Sequence, residues 1–273
     1  MKSRNAIIGN VKVKNGVVYK KIDNQDDFNL FDYLKSCNFD NIPAYQIKDR
    51  YLTYPFIDDF SINNDLKAKE LIKVIATLHN KTIYTKNIDL EKINNLKDKY
   101  LNHLNYYLNY FNNYFNENIS KEFYKPSTYL ILRNYSFIIN YINNAIKEVN
   151  SWYDAIKSRG RVRLSVIHNN LSLNHLIINN NNYLISWDHH KNDFPIIDLI
   201  VFYRNYFNDL NFEDLFKEYL QIFPLEDDEI TLFKVLLYLN FSYERQDNEL
   251  SQLKNNTIFM LYLTKTMELI KVL

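Results

Sequence analysis

The sequence predicts an α+β protein in two parts. A small β-rich N-terminal lobe with one helix and a hinge covers residues 1–60, and a larger, mainly helical C-terminal lobe with a central β-hairpin covers 61–273. Three observations predict this. Short β-branched runs separated by turn residues crowd the first 60 positions. From Leu66 onward apolar residues recur at three- and four-residue spacing, the period of a helix with one buried face. Between about 166 and 185 that period gives way to three short apolar runs divided by polar loops.

Val11 to Val13 and Val17 to Ile22 flank Lys14-Asn15-Gly16, and Asn-Gly between β-branched runs signals a hairpin. Phe28, Leu30, Phe31 and Leu34 form the apolar face of a short helix, and Tyr45 to Ile47 and Tyr51 to Phe56 read as strands around Lys48-Asp49-Arg50. Leu71, Ile72, Ile75 and Leu78 share one face of a helix ending near His79-Asn80. Leu101, Leu104, Leu108, Phe111 and Phe115 mark a long amphipathic helix from about 89 to 115. Tyr107, Tyr110 and Tyr114 lie on it as a second stripe, which intramolecular packing explains better than a partner surface. Pro126 suits the first turn of a further helix, which is expected to run through Ile131, Phe137, Ile138, Tyr141 and Ile142, with a continuation toward Ile156. Val166 to His168, Leu176 to Ile178 and Tyr183 to Ile185 follow as strands, with a turn at the four asparagines 179–182. After Asp198 the chain reads as helical to its end, with breaks near Asn208 and at Pro224.

Bulk properties exclude several function classes. A hydrophobic fraction of 47% supplies a core. A net charge of +1 provides no field to hold nucleic acid or an anionic membrane, so neither is expected as a partner. Cys37 is the single cysteine, which rules out an internal disulfide framework or a cysteine-rich zinc site. No apolar run reaches the length of a membrane span and no signal peptide is evident, so a cytoplasmic location is expected. The wealth of Tyr (23) and Phe (18) beside only 3 Gly accompanies abundant Asn, Ile and Lys, a set that AT-rich codons explain without a special binding surface.

The functional signal lies in 167–204. One loop reads His168-Asn169-Asn170-Leu171-Ser172-Leu173-Asn174-His175, a strand reads Leu184-Ile185-Ser186-Trp187-Asp188, and Pro195 and Asp198-Leu199 follow. With this spacing the segment resembles the aminoglycoside phosphotransferase and choline kinase superfamily, whose members have a protein-kinase-like fold. Its loop follows His-x-Asp-x-x-x-x-Asn, and its strand carries a metal-binding Asp, an aromatic residue and an acidic residue. Tyr54 to Asp58 resembles that family's hinge and Ala76-Thr77-Leu78-His79 its Leu-His helix. In overall look the chain is nearest to spore-coat members of the CotS kind.

The resemblance implies ATP and Mg2+ as cofactors of an active chain, with Lys21 or Lys20 on a strand touching the phosphates and Tyr54 near the nucleotide. A partner carboxylate for the lysine is sought in Asp27 or Asp32, because no Glu precedes Glu70. His168, Pro195 and Asp198 match positions that keep the loop in shape. The departures fall on the chemistry. Asn170 stands at the catalytic-base position, and His175 and Ser186 stand at the two metal-ligand positions. Magnesium prefers oxygen ligands, usually with a carboxylate, and Asn170 cannot accept a proton at neutral pH. Each such loss costs about a hundred- to a thousandfold in rate.

Asp188, two residues beyond Ser186, is the one acidic group left that could restore a metal site. His168, His175, His189 and His190 raise a transition-metal alternative, against which His168 has a structural role and His189-His190 reads as a loop pair whose side chains diverge. The expectation is therefore a pseudokinase without a bound cofactor. It would act as a binding, scaffold or coat-type protein toward a protein partner or small molecule, with spore association as the variant the CotS likeness implies. The alternative is an active ATP-dependent small-molecule phosphotransferase that uses Asp188. A nucleotide-binding switch without catalysis, and a coat protein with an empty cleft, are the remaining readings.

Overall fold

Asn15 and Gly16 adopt positive φ (52° and 75°), the turn geometry whose twist matches that of the flanking strands. The hairpin expected at Asn-Gly is thus formed in the computed structural model, which describes residues 6–8, 11–21, 26–48 and 51–273. In chain order the N-terminal region holds β1 (Ala6–Ile8), β2 (Val11–Lys14), β3 (Val17–Lys21), α1 (Asp26–Ser36), β4 (Gln46–Lys48) and β5 (Tyr51–Pro55). Next come α2 (Asn64–Thr82), β6 (Tyr84–Asn87), α3 (Leu90–Asn118), α4 (Pro126–Arg133), α5 (Tyr135–Arg159) and β7 (Arg161–Ile167). A single 3-10 turn at Leu173–His175 leads to β8 (Leu176–Ile178) and β9 (Asn182–Leu184), and a second at Trp187–His189 leads to β10 (Lys191–Asp193). The chain closes with α6 (Ile196–Tyr206), α7 (Phe212–Ile222), α8 (Asp227–Leu239) and α9 (Glu249–Val272). A β-rich N-terminal region therefore precedes a mainly helical C-terminal part. Among the described residues no helix is long and apolar enough to cross a membrane.

The chain divides into two compact units. The first comprises Met1–Tyr84, Leu164–Phe202 and Asp214–Pro224. Its antiparallel sheet runs in the order β1-β2-β3-β5-β4. Register pairs Val18 with Tyr54 and Lys20 with Leu52. Side chains of paired residues project to the same face of a sheet, and residues two apart on a strand also share a face. Val18, Lys20, Leu52 and Tyr54 therefore stand together. On α2 the four residues of the expected stripe, Leu71, Ile72, Ile75 and Leu78, are all buried, and the helix packs against the 3-10 turn at Leu173–His175 and the β8–β9 hairpin. Its N-terminus is capped by the Asn63 carboxamide oxygen, which accepts from Leu66 N at 2.8 Å.

The second unit comprises Thr85–Arg163, Tyr203–Glu213 and Leu225–Leu273. Here α5 packs on α3 and α8, and α4 on α9. The tyrosine stripe of α3 is used internally. Tyr107 stands edge-on to Phe241 at 4.8 Å, Tyr110 lies 5.5 Å from Tyr243, and the Tyr114 hydroxyl donates to Thr128 Oγ1 at 3.1 Å. Arg159 and Arg163 pair with Glu226, Asp228 and Glu229 at the start of α8, with Arg163 Nε 2.8 Å from Glu229 Oε1.

Three sequence expectations need correction. The helix expected to run from Pro126 to Ile156 is two helices, because the chain turns at Asn134, whose ψ of 11° leaves the helical region. A further break at 240–248 separates α8 from α9, and α9 is restarted by the Asn248 side chain accepting from Ser251 N at 2.8 Å. The strands β6 and β10, four and three residues long, were not expected. They are too short and polar to show an alternating pattern. The turn expected at Lys48-Asp49-Arg50 lies partly outside the described residues.

Candidate active site

The site is assembled within the first unit around a buried carboxylate. Asp198 has no exposed surface and sits in the first turn of α6, just after buried Pro195, where the helix dipole favours a negative group. Its Oδ2 accepts from His168 N at 2.8 Å and its Oδ1 from Asn169 N at 2.6 Å. His79 Nε2–H, from the buried face of α2, reaches the same Oδ2 at 3.1 Å, and the Tyr219 hydroxyl lies 2.8 Å from His79 Nδ1. Asn169 takes φ 58°, a left-handed conformation that asparagine tolerates better than most residues. Asp198 thus fixes a bend that the backbone adopts at some cost.

The two loop histidines lock the rest. His168 is buried and its Nε2–H donates to Ile185 O at 2.8 Å. Its Nδ1 is buried without a hydrogen-bond partner, which fits a neutral ring with a bare lone pair there. His175 Nδ1–H donates to the Asn170 carbonyl at 2.6 Å, and Ile185 N returns a bond to His175 O at 2.9 Å. Burial is the largest cause that lowers the pKa of both imidazoles below the ordinary 6.5. Trp187 is buried edge-on to His168 at 5.2 Å and to Phe39 at 6.2 Å, with its indole N–H donating to Leu184 O at 3.0 Å. Ser186, between these two anchored neighbours, is held at φ 67°.

Lys20 Nζ lies 2.6 Å from Asp188 Oδ2. The lysine side chain is 15% exposed and the aspartate 53%. Of the two helix carboxylates considered for the lysine, Asp32 is engaged elsewhere. Asp32 accepts from the Tyr45 hydroxyl at 2.7 Å, and the Asp27 side chain lies outside the described residues. A small cavity is lined by Lys20, Lys21, Tyr54, Ser186, Trp187 and Asp188, with apolar side chains from α1 and β5. Tyr54 has its pKa pushed up to about 12, first by burial and then by the nearby Asp188 charge. Asn170 and His175 do not line this cavity, so the structure brings together Lys20, Lys21, Tyr54, Ser186 and Asp188 but not the base position.

This donor set does not fit a magnesium–nucleotide complex. It offers a neutral hydroxyl, an imidazole nitrogen where magnesium prefers oxygen, and one exposed carboxylate already paired with a lysine. Among the described residues no three His, Cys, Asp or Glu side chains converge as metal ligands would.

The sequence matches no family model and no curated protein. Solved structures do resemble the chain. An aminoglycoside phosphotransferase from Alicyclobacillus acidocaldarius superposes with a TM-score of 0.62 at 10% identity, covering 99% of this chain and 93% of that one. This is the aminoglycoside phosphotransferase fold. A glucosamine kinase has the same fold, with a TM-score of 0.58 at 8% identity over 99% of this chain and 74% of its own. At such identities the likeness extends to the fold and not to the reaction.

Of the groups that hold this aminoglycoside phosphotransferase fold together at the site, His79 and Tyr219 were not assigned roles from sequence. His79 was open to discovery, because it follows Ile75 by four residues and Ile72 by seven and so shares their buried face. Tyr219 gave no signal beyond its place in an apolar helix.

Two outcomes are expected. Asp198→Ala strands two backbone N–H groups and His79 in a dry interior and lowers the unfolding free energy by about 3–5 kcal/mol in urea titrations. The pH dependence follows from the two imidazoles. Each has a folded pKa below its unfolded value, so their contribution is complete above about pH 6.5 and declines as pH falls below it. The urea midpoint therefore drops between about pH 7.5 and about pH 5.5, and it drops less in a His175→Gln variant.

Proposed function

We propose that this chain is a pseudokinase, a protein with a phosphotransferase fold that binds without transferring phosphate. The observation that carries the proposal is the state of the three positions where a kinase of this fold would hold metal or take a proton. They are occupied by Asn170, His175 and Ser186, and His175 spends its Nδ1 proton on the carbonyl of Asn170 itself. What the three positions then offer is a carboxamide, an imidazole Nε2 and a hydroxyl, with no carboxylate of the kind magnesium usually takes. A small-molecule binding role, or a scaffold or coat role toward a protein partner, is the activity left to such a fold.

A second reading has one observation in its favour. Lys20, Ser186 and Asp188 line a single cavity, which is where a rearranged site using Asp188 would have to form. The ion pair to Lys20 supports the first reading, because an aspartate already neutralised by a lysine is a poor ligand for a hard dication.

Incubation with ATP and magnesium or manganese, across a panel of aminoglycosides, choline and amino sugars, is expected to give no phosphorylated product. Turnover that disappears in an Asp188→Ala variant would overturn the pseudokinase reading and establish the second.

A further inference from the structure

The outer face of α9 carries apolar side chains where a surface helix usually carries polar ones. Phe259, Tyr262, Leu263 and Leu269 are its buried face, and charged and polar residues are expected opposite them. At about 100° per residue, Leu250, Lys254, Leu261, Glu268 and Val272 fall within about 20° of one line on the side away from those four. Leu250 is 78% exposed and Val272 52%, and Ile258, beside the line, is 49% exposed. Lys254 and Glu268 are exposed and Leu261 is half-buried. The line has a symmetry of its own. Lys254 precedes Leu261 by seven residues and Glu268 follows it by seven, while Leu250 precedes it by eleven and Val272 follows it by eleven. Read in either direction from Leu261, the line meets a charge and then an aliphatic residue, with the sign of the charge exchanged.

We propose that α9 is a self-association face, on which two copies of the chain pair their α9 helices antiparallel about a two-fold axis at Leu261. Under such an axis a residue that meets another is met by it in return. Leu261 then packs on the partner's Leu261, Lys254 faces the partner's Glu268, and Leu250 meets the partner's Val272. Parallel pairing would set Lys254 against Lys254 and Glu268 against Glu268, so charge selects the antiparallel arrangement. Each end also has a receptor for the most exposed leucine of the line. Val272 lines a groove with Phe207, Leu210 and Phe212, where the partner's Leu250 finds apolar side chains. The contact extends over about 33 Å of helix and lies wholly within the second unit. It uses none of the residues of the candidate active site, so it goes beyond the pseudokinase reading and does not rest on it.

Sedimentation velocity of the full chain tests the pairing. The 33.0 kDa chain is expected to enter a reversible monomer–dimer equilibrium with a dissociation constant in the tens of micromolar, the weak end for a contact of this size. Lys254→Glu should weaken it about tenfold, because the symmetry counts the reversed pair twice. Combining Lys254→Glu with Glu268→Lys should restore it. Both positions are exposed, so these changes leave folding intact. In a Cys37→Ser chain, Leu261→Cys should form an intermolecular disulfide on oxidation, whereas Leu250→Cys, about 33 Å from its own copy along the paired helices, should not. A chain still monomeric at millimolar concentration overturns the proposal and leaves the face to a different protein. A dimer that Lys254→Glu does not weaken, or that the double exchange does not restore, overturns it equally, whether or not the Leu261→Cys chain folds.

Discussion

The buried carboxylate of Asp198 is the interaction on which the rest of the site depends. A carboxylate without exposed surface is costly to desolvate, and it is stable only while its donors stay in place. Those donors are two consecutive loop amides and an imidazole brought by α2. The loop, α2 and α6 are thereby tied at one point, and the strained backbone of Asn169 is held as a consequence. From that point the order spreads through His168 to Ile185, and from His175 back to Asn170, without any charged group in the loop having to meet an ion.

On the pseudokinase reading, this separation of scaffold from chemistry would let the fold outlast the reaction. The groups that shape the loop interact with backbone and with one another, so neutral residues at the neighbouring catalytic positions do not disturb them. Where an Asp would bring negative charge beside the 3-10 turn, Ser186 brings none. The remaining opposite charges, Lys20 and Asp188, neutralise each other at the mouth of an apolar cavity. On the proposed reading, a site so balanced would have little electrostatic means to stabilise a triphosphate.

Much of this was legible in the sequence, for identifiable reasons. The Asn-Gly hairpin, the stripe of α2 and the long α3 are local patterns written in turn chemistry and helical period. His168, Pro195 and Asp198 could be singled out because their spacing was intact. What escaped depends on contacts between distant segments. The Lys20–Asp188 pair joins residues 168 positions apart, and only the strand register that sets Lys20 beside Leu52 and Tyr54 shows why Lys20 reaches it. The link from Tyr219 through His79 to Asp198 crosses three segments. The break at Asn134 hid inside a continuous helical period, and β6 and β10 were too short to carry a pattern.

If Asp198 and the two loop histidines are what hold the loop, it keeps its shape without metal or nucleotide. Amide hydrogen exchange at His168 and Asn169 tests it most directly. Both amides, measured in chelator, are expected to exchange only by global unfolding, at rates that magnesium and ATP leave unchanged. Fast exchange in chelator, with protection arising only when magnesium and ATP are added, would contradict it.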